Sequence, residues 1–273
     1  MPFAEVNGIK LYYEIQGEGY PLFLLHGYGA THEIWIGQFG PLSKHFKVIA
    51  YDSRCSGKSD HPRESFTLDT LVEDLKGMMD FLKIEKANII GQSMGGWVTQ
   101  NFALKYPERI NKIGLLGTNH KGDGIHIFKN SLIDLYELSK TDKEKAYWKY
   151  TKFTHHRSII KEMQADPKKK FHGLWSAEDL MRELIENQME PQDYENLANA
   201  VETHSVLDKL NEIKHPILMI CATNDKLSPK LVMDEMHEKF PNSTLEIIDN
   251  TAHHVFLEEA TKVNKLLIDF FKE

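Results

Sequence analysis

Short apolar runs alternate along the chain with stretches whose apolar residues recur at helical spacing. The runs cover residues 9–15, 22–27, 47–52, 87–91, 112–117, 216–222 and 244–249. Most of them lack the strict alternation of apolar and polar residues that is typical of a half-exposed strand. We therefore predict strands that are covered on both faces, as in a parallel sheet.

Amphipathic helices are predicted between these strands. Apolar residues follow one face of residues 68–82 and acidic residues the opposite face, and Thr67 precedes them as a candidate N-cap. The same apolar spacing recurs in residues 263–271. Strands that alternate with such helices indicate an α/β fold, with a mostly parallel sheet and helices on both of its faces.

One connection is far longer than the others. Nearly a hundred residues separate the strand ending at Gly117 from the strand starting at Pro216, although a crossover between parallel strands needs only about a dozen. Helix patterns occur inside this connection, with Ser176 as N-cap of one helix and Asp179 three residues later. We predict a core formed by residues 1–118 and 211–273, and a helical cap formed by residues 119–210.

Composition and charge narrow the classes of function. The net charge of −7 gives the chain no electrostatic footprint for nucleic acid, and the basic run at 168–170 is interpreted as a solvated loop or helix end. The start has no signal-peptide pattern, and no apolar stretch reaches membrane-spanning length. Cys55 and Cys221 are too few for a disulfide framework. We expect a cytoplasmic protein with both thiols reduced.

A serine between glycines follows the strand at residues 87–91 and precedes a helix. The sequence is Gly91-Gln92-Ser93-Met94-Gly95. A sharp turn from strand to helix leaves no room for side chains at the flanking positions and exposes the serine hydroxyl near a helix N-terminus. We predict that Ser93 is a nucleophile, and the alternative is an ordinary glycine turn.

A nucleophilic serine needs a base, and the base needs a carboxylate that orients it. Asp225 follows the strand at 216–222, and His253 and His254 follow the strand at 244–249. The chain order serine, acid, histidine is the order expected for a sheet enzyme of this kind. Asp249 and Asp123 remain alternatives for the acid. The fourteen histidines include no H-E-x-x-H pair, so neither a metal nor a cofactor is expected.

Five motifs together resemble the α/β-hydrolase fold family over nearly the whole chain. They are HGYG, YDSRCSGKSD, GQSMGG, TNDKLSP and AHHVFLEE, which follow the third, fourth, fifth, seventh and eighth strands. The resemblance implies an eight-stranded sheet and the serine hydrolase branch, which includes esterases and enol-lactonases. It selects His253, five residues before Glu258, although Ala252 stands where glycine is common. It also gives Asp225 the family's acid position, since the end of the sixth strand carries Asn119.

The resemblance extends to the groups around the nucleophile. It implies that the backbone N–H groups of Tyr28 and Met94 form the oxyanion hole, and that His26 supports the HGYG loop by hydrogen bonding. Cys55 replaces a glycine in the turn after the fourth strand, which makes the local backbone geometry there uncertain.

The expected function is hydrolysis of a small carboxylic ester or lactone through Ser93, His253 and Asp225. Two alternatives of the same fold are a carbon–carbon bond hydrolase and a perhydrolase. A third, of another class, is a small-ligand receptor that keeps the triad. The identity of the substrate and the oligomeric state do not follow from the sequence.

Overall fold

The computed structural model describes residues 2–187 and 189–272. Within them, eight strands form one sheet: β1 (Phe3–Val6), β2 (Ile9–Gln16), β3 (Pro21–Leu25), β4 (Lys47–Tyr51), β5 (Ala87–Gln92), β6 (Ile110–Leu116), β7 (Ile217–Ala222) and β8 (Ser243–Ile248). Their order is β1-β2-β4-β3-β5-β6-β7-β8. The β1–β2 and β2–β4 pairs are antiparallel and all the other pairs are parallel. The predicted mostly parallel, eight-stranded sheet is confirmed.

Eleven α-helices lie in the described part of the chain. They are α1 (Phe39–Ser43), α2 (Leu68–Phe81), α3 (Met94–Lys105), α4 (Ile125–Ser139), α5 (Lys143–Thr154), α6 (Arg157–Ala165), α7 (Ala177–Glu186), α8 (Pro191–Val201), α9 (Lys230–Lys239), α10 (Val255–Glu258) and α11 (Ala260–Lys272). Short 3₁₀ helices span His32–Gly37, Pro107–Arg109 and Leu207–Glu212. Helices α4 to α8 all fall between β6 and β7, in residues 119–210, which we call the insert.

Both faces of the sheet are covered, which explains the apolar runs without alternation. Successive side chains of a strand point to opposite faces. In β3, Phe23 and Leu25 join the apolar cluster that includes α2, α3 and α9. Leu22 and Leu24 join the cluster on the other side, which includes α1 and α11. The four residues 22–25 of β3 are therefore each buried against one helical layer or the other.

The two predicted helix starts are confirmed. Thr67 precedes α2 with an extended backbone, and it forms a capping box with Thr70. Ser176 precedes α7, and its hydroxyl accepts from the Asp179 N–H while the Asp179 carboxylate accepts from the Ser176 N–H at 2.8 Å. These bonds satisfy N–H groups that have no partner inside the helix.

The insert is bonded to loops at the carboxyl ends of the core strands. The Tyr28 hydroxyl, after β3, donates to the Tyr194 carbonyl at 2.6 Å. After β8, the His254 N–H donates to the Thr154 carbonyl at 2.8 Å. The insert thus lies over this edge of the sheet, and its description as a cap that forms a separate unit remains a prediction.

Three features of the described residues bear on what the composition led us to expect. Lys168, Lys169 and Lys170 form ion pairs with Glu178, Glu162 and Asp179. Both cysteines are free and buried. Among residues 2–187 and 189–272, no helix combines the length and the apolar character needed to cross a bilayer.

Candidate active site

Ser93 occupies a strained turn between β5 and α3. Its φ of 51° and ψ of −118° lie outside the regions that residues with a side chain usually adopt. Such backbone strain persists only where the surrounding structure holds it, and it is concentrated at functional sites. Here the Ser93 N–H donates to the Leu116 carbonyl at 3.1 Å, and the Thr118 hydroxyl donates to the Ser93 carbonyl at 2.7 Å.

The glycines on either side of Ser93 are required by close backbone contacts. A Cβ on Gly91 would lie 2.4 Å from the Gly95 carbonyl oxygen. A Cβ on Gly95 would lie 2.2 Å from the Leu25 carbonyl oxygen. Since real Cβ atoms do not approach backbone atoms so closely, only glycine fits at these positions. The crowding expected of the G-x-S-x-G turn is present.

Asp225 and His253 form a buried pair. The His253 Nδ1 lies 2.9 Å from Asp225 Oδ2, and both residues are almost fully buried. The other carboxylate oxygen, Oδ1, accepts the backbone N–H groups of Leu227 and Ser228 at 2.8 and 2.9 Å. Asp225 therefore has a fixed orientation, and a neutral His253 that donates through Nδ1 presents Nε2 as an acceptor.

Gln92 connects this pair to the turn that carries Ser93. Its Nε2 lies 3.0 Å from His253 Nε2, so the amide donates to the nitrogen that a nucleophile would use. The Ser93 hydroxyl has no hydrogen-bond partner among the described residues. Gly117 lies on the opposite side, where an added Cβ would be 3.2 Å from Asp225 Oδ2. The ends of β5, β6, β7 and β8 thus meet at one place.

The loop after β3 packs directly against Ser93. A Cβ on Gly27 would lie 3.1 Å from the Ser93 Cβ. The backbone N–H groups of Tyr28 and Met94 donate to no acceptor among the described residues, so both remain available to a ligand. His26 bonds to the Gly27 carbonyl at 2.8 Å and accepts the Ser53 N–H at 3.0 Å. Burial lowers the pKa of His26, which fits a neutral ring that supports this loop.

The alternative site residues lie in different surroundings. Burial, with His155 and His253 nearby, holds the pKa of His254 well below its ordinary value, and its ring packs against Tyr150 and Phe256. Asp249 is exposed, and Asp123 is exposed and pairs with Lys121 at 2.9 Å. Among the described residues, none of these three side chains takes part in a histidine–carboxylate hydrogen bond like the one between His253 and Asp225.

Glu258 holds the loop that carries His253, a role that the sequence analysis did not identify. Its Oε1 accepts the Ala252 N–H at 3.0 Å and the His156 N–H at 3.1 Å. It therefore joins the loop after β8 to the insert. Burial raises the pKa of Glu258 to about 7. The fixed spacing between His253 and Glu258 was the available signal, but it was used only to select the histidine.

Cys55 adopts a backbone conformation that favours glycine. Its φ is 64°, in the left-handed region. The side chain is fully buried, and burial raises the pKa of the thiol to about 12. The thiol is therefore protonated and packed. Nowhere in residues 2–187 and 189–272 do three or more histidine, cysteine or acidic side chains group in a way that would hold a metal ion.

The chain is similar to known hydrolases along most of its length. The sequence model of the alpha/beta hydrolase fold family matches residues 20–260. The chain is 26% identical over 272 residues to the AB hydrolase superfamily protein YisY of Bacillus subtilis (strain 168), with 96% of this chain and 95% of that protein covered. It is 28% identical over 285 residues to a 2-hydroxy-6-oxononadienedioate/2-hydroxy-6-oxononatrienedioate hydrolase of Paraburkholderia phymatum, with 96% and 91% covered.

A solved structure is similar along the full length of the chain. The enol-lactonase from Burkholderia xenovorans LB400 superimposes with a TM-score of 0.84 at 24% identity, and the match covers 100% of both chains. At this level of identity the likeness establishes the fold. The activity has to be inferred from the site itself.

Proposed function

The chain belongs to the alpha/beta hydrolase fold family, and we propose that within it the chain is a serine hydrolase that cleaves a small carboxylic ester or lactone. The observation that carries this proposal is the 2.9 Å contact between His253 Nδ1 and Asp225 Oδ2 beside a serine in a strained turn. Ser93 is the proposed nucleophile, His253 the base, and Asp225 the group that orients the base.

The first half of the reaction forms an acyl-enzyme. His253 Nε2 removes the proton of the Ser93 hydroxyl, and the oxygen attacks the carbonyl carbon of the substrate. The negative charge moves to the carbonyl oxygen, where the free N–H groups of Tyr28 and Met94 stabilise it. His253 then protonates the leaving alcohol, which departs from an ester or stays attached to the acyl group of a lactone.

The second half releases the acid. Water takes the place of the alcohol, His253 removes its proton, and the acyl–Ser93 bond is hydrolysed through a second tetrahedral intermediate. Asp225 holds the ring by its Nδ1–H and stabilises the protonated form. Because Gln92 occupies His253 Nε2 in this structure, the first step requires that this contact be exchanged for one with Ser93.

Hydrolysis of an ester or lactone is preferred to three alternative functions. The stretch from Trp35 to Arg54 resembles small-molecule esterases and enol-lactonases more than carbon–carbon bond hydrolases or perhydrolases. The similarity to the Paraburkholderia enzyme keeps carbon–carbon cleavage as the second candidate. A receptor with the same triad would release one equivalent of product and then stop, whereas an enzyme continues.

Two further expectations belong to the same proposal. The insert acts as a cap over the site, supported by its bonds to the loops after β3 and β8. The substrate is a small molecule, and a cytoplasmic location stays a prediction.

The test is the turnover of Ser93→Ala with 4-nitrophenyl butyrate. We expect kcat to fall by about four orders of magnitude or more, since the nucleophile is removed. The circular dichroism spectrum and thermal midpoint should match those of the unmodified chain. Ester hydrolysis at the original rate would reject Ser93 as the nucleophile, and a single burst of nitrophenol from the unmodified chain would favour the receptor.

A further inference from the structure

A cleft of about 740 Å³ opens between the insert and the loops after β7 and β8. Four cationic side chains line it: Lys152 on α5, Arg157 and Lys161 on α6, and Lys226 after β7. None of the side chains that line it is a carboxylate. This concentration of positive charge is unusual for a chain whose net charge is −7.

In the described part of the chain, none of the four cations of the cleft forms an ion pair, whereas several other surface cations do. Within residues 2–187 and 189–272, no carboxylate lies within ion-pair distance of any of them. The neighbouring lysines 168–170 each form an ion pair. Like charges that face one cleft without counter-charges raise the local potential and attract an anion.

A buried polar atom in the same cleft also lacks a partner. His155 lines the cleft and is almost fully buried. Its Nδ1 lies 2.9 Å from the Thr154 hydroxyl, but its Nε2 has no hydrogen-bond partner among the described residues. Burial lowers the pKa of His155 to about 3, so the ring is neutral. The Thr154 hydroxyl donates to the Tyr150 carbonyl at 3.5 Å, so His155 Nδ1 donates to Thr154 and the unpartnered Nε2 is an acceptor.

The cleft borders the His253–Asp225 pair. Asn224 and Ala252, which line it, immediately precede Asp225 and His253 in the chain. Asn250 lies on the same rim and adds an amide. A ligand in the cleft therefore contacts the two loops that carry the proposed base and its orienting acid.

We propose that this cleft binds an anionic group of the substrate, a carboxylate or a phosphate, remote from the bond that is cleaved. The inference rests on the proposed function and adds a substrate class to it: esters or lactones that carry a negative charge. The unpaired cations attract the anion, and the amide groups of Asn224 and Asn250 supply hydrogen bonds to it.

The kinetic test compares two esters with the same six-carbon acyl chain. One is 4-nitrophenyl hexanoate, which is neutral, and the other is the mono-4-nitrophenyl ester of adipic acid, which carries a free carboxylate. The measured quantity is the ratio of kcat/KM for the adipate ester to that for the hexanoate ester. This ratio cancels any general damage that a substitution does to the catalytic groups.

Lys161→Glu reverses one charge of the cleft, and Lys44→Glu makes the same change at the opposite edge of the sheet, before β4. We expect Lys161→Glu to lower the ratio by about tenfold at low salt, because an attraction becomes a repulsion at short range. Lys44→Glu should leave the ratio within about twofold, since Lys44 does not line the cleft and its charge acts on both esters only from the other edge of the sheet. Equal ratios in all three proteins would overturn the proposal.

A binding measurement separates this proposal from the proposed function. Calorimetry on Ser93→Ala, which needs no turnover, is carried out with adipate and with inorganic phosphate. Binding of adipate that Lys161→Glu weakens supports a carboxylate ligand, and binding of phosphate alone supports a phosphate ligand. If neither anion binds, the proposal that the cleft is an anion site is wrong. Failure of the unmodified chain to hydrolyse either ester would instead count against the proposed function.

Discussion

Buried polar side chains at the carboxyl edge of the sheet and in the insert differ in how many hydrogen-bond partners they have. At the sheet edge, buried charges are paired: Asp225 bonds to His253, and Arg54 bonds to Asp74 through two nitrogens at 2.6 and 2.7 Å. Both oxygens of Asp225 have partners. These groups are oriented before any substrate arrives, which is what a catalytic pair requires.

The insert contains buried polar groups with fewer partners. The Glu183 carboxylate accepts only the Thr31 hydroxyl, at 2.7 Å, among the described residues. The Tyr147 hydroxyl and His155 Nε2 have no hydrogen-bond partner there. Unsatisfied buried groups reduce stability. Others lie in the core, among them Asn88 Nδ2 and His254 Nδ1. This difference is consistent with the proposal that the sheet edge carries the chemistry and the insert binds the substrate.

The largest effect should follow from breaking the pair at the sheet edge. We expect Asp225→Asn to lower kcat for 4-nitrophenyl butyrate by about 10⁴-fold, because the amide no longer fixes the ring in its productive tautomer. Asp249→Asn, which changes an exposed carboxylate after β8 in the same way, should leave kcat within about twofold. If Asp249→Asn lowered kcat more than Asp225→Asn did, the orienting acid would be Asp249 and not Asp225.

A smaller effect is expected from Glu183, as a dependence of stability on pH. Burial raises its pKa from the ordinary 4.5 to about 7, so between these values the folded chain binds more protons than the unfolded chain. Its contribution to the free energy of unfolding therefore falls as pH rises through this window and is constant above it. Glu183→Gln should remove this loss, gaining about 3 kcal/mol relative to the unmodified chain between pH 4 and pH 8.

The measurement is urea unfolding at both pH values. Glu186→Gln, an exposed position on the same helix, is the matched control and should show no such gain. If Glu183→Gln and Glu186→Gln respond alike, Glu183 ionises as an exposed acid does, and the contrast between the sheet edge and the insert fails.

The order of elements could be predicted because each one has a local cause. Apolar runs in β3 to β7 identify strands covered on both faces, and Thr67 and Ser176 mark the starts of α2 and α7 through short-range bonds. Helices α5 and α6 were not predicted. The sequence of α5 is rich in lysine and aromatic residues, and its buried face forms by packing against other helices of the insert, α4, α6 and α7.

Ser93, Asp225 and His253 were predicted as the candidate site from their residue types and their order along the chain. The contacts between Gln92 and His253, and between Glu258 and the loop before His253, were not predicted. The Gln92–His253 contact joins segments that meet only after the sheet has formed, so no local pattern encodes it. The Glu258 contact is local, and its signal was the spacing between His253 and Glu258. The cleft cations lie on α5, α6 and the loop after β7, and their proximity likewise depends on how the insert packs.

The central claim is that Ser93 is the nucleophile that His253 and Asp225 activate. The most direct test is to react the chain with a fluorophosphonate and to measure the intact mass, the labelled peptide and the remaining esterase activity. The account predicts one adduct per chain, on Ser93, formed in proportion to the loss of activity and absent from Ser93→Ala. Loss of activity with Ser93 unmodified, or full activity after Ser93 is labelled, would contradict it.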